Sequence, residues 1–425
     1  MSHLLRPRPT GRDRPGPVAP PTPATTGPYP TAPGTILLLT ADTGGGHRAA
    51  AEALRQALQS RFSGRLVTVV CDPLTGVEAH RALRWTCRRY GPLVRWSPPL
   101  WGLLFHATNT TVTLPILRRA LTRYARAPIA AALVRHRPLA VILLHPLLVS
   151  PAVAARRDCA SGAPLVSVVT DLGTAHRGWW HPAVDRVVTP TPALARQAGR
   201  HAGTAPARCA ALGIPVGAQF RAGPAGPDAR ATLRASLGLR PDRFVVLVAA
   251  GGEGGRRITA WTRTIITGVP DVDVVAVCGR DERTRARLDG LVAASGGRLT
   301  VTGFVSNMAD WLRGADLLVT KAGPGTVAEA ASCGTPMLLA GHLPGQENGN
   351  TEITVRAGAA RPVRGRRQLR TQVDQLRSDP AALDRMRASA ARLGRPAAAA
   401  DIAELLARLT RPGDLRQAQP GKDRR

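Results

Sequence analysis

Lysine is almost missing from this chain: only Lys321 and Lys422 stand among 58 basic residues, and only 28 acidic residues oppose them. The formal charge of +30 is therefore carried by arginines scattered along the sequence, and no helix-turn-helix, zinc-finger or aromatic RNP pattern accompanies them. Nucleic acid is not an expected partner on that pattern; an anionic membrane surface fits the charge better. Cysteine is scarce too. The six thiols (71, 87, 159, 209, 278 and 333) have neither C-x-x-C spacing nor the density of a disulfide scaffold, and they read as reduced core residues of a cytoplasmic protein. Long apolar runs are also lacking. The longest, "LAVILLHPLLV" at 139–149, falls well short of the roughly 20 residues that span a bilayer, so membrane contact is expected to be peripheral, on the inner face of the plasma membrane.

What is present is alternation. Apolar, β-branched segments at 35–40, 66–71, 139–144, 165–170 and 185–189 alternate with helical stretches, which predicts a parallel sheet covered on both faces. A Gly/Pro cluster at "LGIPVGAQF", 212–220, marks a junction. A second series then starts at 244, 271, 299, 316 and 336. The expected fold class is α/β, two doubly wound Rossmann-like domains facing across a cleft. Residues 34–215 form the first domain and 216–395 the second. Residues 396–425 are a C-terminal helix and basic tail. The first 33 residues hold ten prolines among Arg, Thr and Gly and are expected to be a disordered arm. No apolar core follows its arginines, so it does not read as a secretory signal.

Two glycine loops carry the chemistry. In "TILLLTADTGGGHRAAAEAL", 35–54, a buried strand leads through three glycines to His47 and an alanine-rich helix from Arg48. Such a loop suits an anion or a polar ligand, and Gly44, Gly46 and Ala49 also fit the dinucleotide fingerprint, with Asp72 ending the next strand. An NAD enzyme is thus a rival on this segment. "VLVAAGGEGG" repeats the logic with Gly251, Gly252, Gly254 and Gly255 before a helix, and Arg256 and Arg257 either add charge for a diphosphate or are simply solvated. In "VTKAGPGTVAEAASCGTPMLLAGHLPGQENGN", 319–350, the helix is expected to hold Thr326 and Glu329 in its first turn. Glu329 there is either a ribose-binding carboxylate or a cap favoured by the helix dipole. "DVD" at 271–273 opens a strand away from the ligand edge and does not read as a metal motif.

Taken in order, "DTGGGHRAAAEAL", "LLHPLL", "VVTDLGTAHRGWWH", "GGEGG", "VCGRDE", "GFVSNM", "TKAGPGTVAEA" and "PGQENGN" resemble the monogalactosyldiacylglycerol synthases of glycosyltransferase family 28 from about residue 35 to 360. The second-half matches set the NAD reading aside. The resemblance implies the glycosyltransferase B architecture and an inverting transfer of galactose or glucose from a UDP-sugar to diacylglycerol, giving a β-glycosyl lipid. It implies that Gly251, Gly252 and Gly254 cradle the diphosphate, that the backbone at Phe304 and Val305 holds uracil, and that Glu329 takes the ribose hydroxyls. Gly323, Gly325 and Thr326 flank the phosphates in the same scheme, and Gln346 and Glu347 read the hexose. Trp179 in "HRGWWHP" is an implied acceptor contact. Another lipid acceptor, such as a polyprenyl-linked precursor, or an epimerase of the same fold are alternatives.

Single-step inversion needs a base. His47, on a loop facing the cleft, is the candidate, with Asp171 either orienting it, acting as the base itself, or serving as a strand-end turn residue. Gly45 and Gly46 beside His47 let the acceptor approach, and His145 supports the site or is a turn histidine. Lys321 is either a ligand-binding ammonium or half of a structural ion pair. No cofactor or metal is expected; the glycine loop and helix start carry the leaving-group charge. Finally, "RWTCRRYGPLVRWSPPLWGLLF", 84–105, interleaves Arg84, Arg88, Arg89 and Arg95 with Trp85, Tyr90, Trp96, Trp101 and Phe105. It is expected to dock on membrane, the alternative being aromatics packed into the first domain.

Overall fold

The central strands are runs rich in Val, Ile, Leu and Ala and buried on both faces, the pattern of a parallel sheet covered by helices, while the edge strands are partly exposed. In the computed structural model the first sheet comprises β1 (Gly34–Leu39), β2 (Leu66–Cys71), β3 (Ala140–Leu143), β4 (Leu165–Val168), β5 (Arg186–Thr189) and β6 (Cys209–Ala211). The second comprises β7 (Phe244–Ala249), β8 (Val272–Val277), β9 (Leu299–Thr302), β10 (Leu317–Thr320), β11 (Met337–Leu339) and β12 (Ala360–Pro362). The structure describes residues 34–42, 45–62, 66–221, 226–252, 254–255 and 257–410, without the side chains of Arg95 and Pro227. The proline-rich arm, Gly44, Glu253, Arg256 and the tail from 411 lie outside the described residues.

All ladders are parallel, in the orders β2-β1-β3-β4-β5-β6 and β12-β11-β10-β7-β8-β9. The order reverses between β1 and β3 in one sheet and between β10 and β7 in the other, and a doubly wound sheet binds ligands outside the carboxyl ends of strands at such a point. An expected site residue follows each of these four strands, while Asp171 follows β4, Phe304 β9 and Gln346 and Glu347 β11. His47 comes after β1, His145 after β3, Gly251 after β7 and Lys321 after β10.

Two features go beyond the expectations. β6 and β12, three residues each, were not anticipated, because so short a strand has no period to read. The expected C-terminal helix is Ala398–Leu409, and it returns to the first sheet, where Ala399, Ile402, Ala403 and Leu406 join Ile36, Leu38 and Leu54 in one core. Arg61 and Glu404 clasp it from outside at 3.2 Å. The last helix thus ties the two halves together. Asp273 of the "DVD" stretch accepts from Arg240 Nε at 2.9 Å, so it is a structural partner at the strand's amino end.

Candidate active site

On the first lobe, three groups meet beyond β1, β3 and β4. His47 lies in the first turn of the helix Gly45–Phe62 rather than on a loop, because the helix begins three residues earlier than its alanine-rich stretch suggests. Its Nδ1 stands 3.0 Å from Thr170 Oγ1, its ring also meets the Leu144 carbonyl, and its centroid is 4.6 Å from that of His145. Burial lowers its pKa to about 4, so it is neutral at physiological pH and a weak base. His145 is buried, accepts from the Leu147 N–H at 3.3 Å, and is held well below the usual value by burial and then by the neighbouring His47 and His176. Gly45 and Gly46 leave open space, since a Cβ on either would meet nothing within 4 Å.

Asp171 does not orient His47; the hydroxyl of Thr170 does. The Asp171 carboxylate is buried, accepts Trp179 Nε1 at 2.7 Å and the Gln346 amide, and is nevertheless pushed up to about 6 by burial. Trp179 is fully buried in the first-lobe core, so the expected acceptor contact is corrected: its indole positions Asp171 instead of meeting a lipid. A carboxylate fixed by two donors, ionised at pH 7 and more basic than an ordinary Asp, has the properties of a general base.

The second lobe supplies polar space opposite. Gly251 and Gly254 adopt φ of 88° and 67°, and the loop closes through Gly254 N–H to Gly251 O at 3.0 Å and Arg280 N–H to Gly252 O at 2.9 Å. That conformation is available to glycine at little cost. Phe304 is 58% exposed, with the Arg280 guanidinium 4.5 Å from its ring centroid and both side chains beside Gly252. Val305, by contrast, packs on the core. Across the crevice the helix Pro324–Ser332 starts at Gly323 with no side-chain cap, so the first-turn N–H groups of Gly325 and Thr326 are available to an anion.

Glu329 is in the second turn of that helix, not the first, because Pro324 opens it. Its carboxylate has no hydrogen-bond or ion-pair partner among the described residues, and burial raises it to about 7. Glu347 is its opposite. It is 2% exposed; Oε1 lies 2.5 Å from Lys321 Nζ and Oε2 accepts the Leu343 N–H at 2.8 Å. Glu347 therefore does not face a hexose, because its oxygens are taken inside the protein. Lys321 is the paired ammonium, one third exposed, with N–H groups left for a ligand. Gln346 also turns inward: its amide donates to Asp171 while Oε1 is buried without a partner.

The two lobes are pinned at this point by Asn350, which the sequence reading missed. It is fully buried; Oδ1 accepts the N–H groups of Leu172 and Gly173 at 3.1 and 3.0 Å, and Nδ2 donates to Ala322 O at 2.9 Å. Gly349 N–H adds a bond to Thr174 Oγ1 at 2.9 Å. Its place at the end of "PGQENGN" was the only available signal.

Beside the crevice run three helices, Arg81–Arg88, Tyr90–Trp96 and Pro98–Thr108. Trp85, Trp96 and Leu103 are 60, 69 and 65% exposed, joined by Leu100, Leu104, Val112 and Ile116. Arg88 and Arg89 are exposed, and the Arg89 guanidinium sits 3.9 Å from the Trp85 ring centroid. Trp101 is corrected: it packs edge-on against Tyr90 at 4.8 Å and beside Phe105, on the inner side of the hairpin. Gly102 and Phe105 abut Pro344 and Gly345, so this surface touches the loop that carries Gln346. No helix among the described residues is long and apolar enough to cross a membrane.

Residues 47–216 match the family model for monogalactosyldiacylglycerol (MGDG) synthase and 246–405 that for the glycosyltransferase family 28 C-terminal domain. A probable MGDG synthase 2, chloroplastic, of Oryza sativa subsp. japonica is 31% identical over 76% of this chain and 69% of its own. Against MGDG synthase 1, chloroplastic, of Arabidopsis thaliana the identity is 31% over 77% of this chain and 61% of the relative. Among solved structures, MurG of Acinetobacter baumannii superposes with a TM-score of 0.58 at 15% identity, covering 88% of this chain and 99% of that one. Anabaena Alr3699/HepE in complex with UDP-glucose gives 0.53 at 14%, covering 88% and 99%. These structures share the glycosyltransferase B fold with the two parallel sheets described here.

Proposed function

The chain belongs to the monogalactosyldiacylglycerol synthase family, and from that premise we propose that it transfers galactose or glucose from a UDP-sugar to diacylglycerol. It is a glycosyltransferase of glycolipid synthesis; donor, acceptor and site roles are the proposal. The observation that carries it is the half-buried carboxylate of Glu329, without a hydrogen-bond or ion-pair partner among the described residues, on the helix whose uncapped start carries Gly325 and Thr326, in the same lobe as the glycine loop and the Phe304–Arg280 pair. A vicinal diol satisfies such a carboxylate, N–H groups at a helix start satisfy a diphosphate, and an exposed aromatic satisfies a base: together these are the parts of a uridine diphosphate.

In the proposed reaction the acceptor hydroxyl approaches over Gly45 and Gly46. Asp171 takes its proton, the oxygen bonds to the anomeric carbon from the face opposite the diphosphate, and the bond to UDP breaks with inversion. Lys321 and the N–H groups of Gly325 and Thr326 receive the charge that appears on the leaving group. His47, neutral and hydrogen-bonded to Thr170, lines the acceptor side. The exposed face of Trp85, Trp96, Leu100 and Leu103, flanked by Arg88 and Arg89, supports docking of this lobe on an anionic membrane; the inner face of the plasma membrane is our reading of which membrane that is. Incubation of the full chain with diacylglycerol vesicles and UDP-[14C]galactose or UDP-[14C]glucose is expected to yield a lipid-extractable β-glycoside. Absence of labelled lipid from both donors, with a folded protein that binds UDP, would overturn the acceptor assignment.

A further inference from the structure

The second lobe has another concavity, away from the glycine loops, on the flank of the helix Arg257–Gly268. Here that helix meets the helices Glu282–Val292 and Arg366–Ser378 around a cavity of about 690 Å³. Five arginines line it: Arg263, Arg287, Arg366, Arg367 and Arg370. None of them has a carboxylate partner among the described residues, because the acids of these helices are spent elsewhere, Glu282 and Asp289 beside Arg285 and Asp374 on Arg377. Small residues complete the wall: Ala260, Gly268 and the threonines Thr259, Thr264 and Thr267. Thr259 contributes a buried hydroxyl without a hydrogen-bond partner, and Gly268 makes room for Arg370, whose Cγ a Cβ would approach to 3.2 Å.

Five like charges around one hollow repel one another, more weakly for being exposed to solvent, and no carboxylate among the described residues balances them. A multiply charged anion removes that repulsion, and planar guanidinium forks match phosphate oxygens two at a time. The volume is that of a small-molecule site. We propose that this cavity binds a phosphomonoester or diphosphate group, at a site separate from the donor crevice. The two sites share one helix: its amino end follows the glycine loop and its flank lines the arginine cavity.

The test uses the full chain with UDP at saturation, so that the donor crevice is filled, and inorganic diphosphate titrated at constant ionic strength. The melting temperature is expected to rise by about 2 °C or more at a concentration well above Kd. The double variant Arg367→Gln/Arg370→Gln is expected to keep the rise caused by UDP, which shows that it is folded, and to lose the rise caused by diphosphate; Arg263→Gln provides a single substitution from another helix of the wall. No added rise in the unmodified chain, or an equal rise in the variants, overturns the proposal. Phosphatidylcholine vesicles with and without a phosphomonoester lipid then separate the sources. Variant-sensitive retention on the phosphomonoester vesicles assigns a lipid headgroup, and variant-insensitive retention beside a variant-sensitive diphosphate response assigns a soluble ligand.

Discussion

Asp171 is a buried and Glu329 a half-buried carboxylate in facing lobes, and desolvation raises both, to about 6 and about 7. Their surroundings differ. Asp171 is gripped by Trp179 from its own lobe and Gln346 from the other, whereas Glu329 has no partner among the described residues. A carboxylate whose donors come from the protein is held in one place, which suits proton transfer at a fixed point. A carboxylate that lacks them is left for donors a ligand brings. The contrast with Glu347, whose oxygens are occupied by Lys321 and Leu343, separates the ligand-binding acid from the structural one within a single lobe.

Breaking the link between the lobes should produce the largest loss. Asn350→Ala leaves the N–H groups of Leu172 and Gly173 and the carbonyl of Ala322 without their buried partner, and is expected to cost about 2 to 5 kcal/mol of stability. The drop in urea midpoint measures it; a change below 0.5 kcal/mol, within about the scatter of a surface substitution, would mean that the lobes are not pinned there.

The pH dependence of stability sharpens the comparison more gently. A carboxylate raised on folding binds more protons folded than unfolded between its two pKa values, so stability falls as pH rises across that window, here from about 4 to 7. His47, lowered from 6.5 to about 4, acts in the opposite sense over a similar range. Glu329→Gln removes one falling contribution. Its urea midpoint is expected to improve relative to the unmodified chain on going from pH 4.5 to pH 8; a constant difference would show that Glu329 is not strained by burial.

The smallest effect belongs to the surface beside the crevice. Trp96→Ala is expected to weaken retention on anionic vesicles several-fold, each exposed aromatic being only part of the face, while the transfer measured on detergent-dispersed acceptor stays unchanged. Trp101→Ala should instead lower stability, because that ring is packed on Tyr90. Equal vesicle losses for both would contradict the assignment of Trp101 to the interior.

Much of the fold was legible because the strands are continuous apolar runs punctuated by glycine, and runs of that kind, alternating with helices, admit few architectures. The strand–glycine–helix order around Gly251 and Glu329 was readable for the same reason, although Glu329 falls a turn later in its helix than expected. Partners between distant segments were not readable. Lys321 was open between a ligand contact and an ion pair until Glu347 was found 2.5 Å away. Trp179 was an acceptor contact by resemblance alone, since an exposed and a buried tryptophan are written alike; its full burial and its N–H on the Asp171 carboxylate give it another role. Asn350, a single amide in a polar loop, acquires its role only when the two lobes meet.

The division of labour between Asp171 and Glu329 is tested most directly by measuring kcat and UDP affinity together for Asp171→Asn and Glu329→Gln. Loss of a general base is expected to lower kcat about 100-fold or more in Asp171→Asn with UDP affinity kept within about twofold. Loss of a charged hydrogen-bond acceptor is expected to weaken UDP about 10-fold in Glu329→Gln with a much smaller change in kcat. The reverse pattern, or equal losses of rate and affinity in both variants, would contradict the assignment of the two carboxylates.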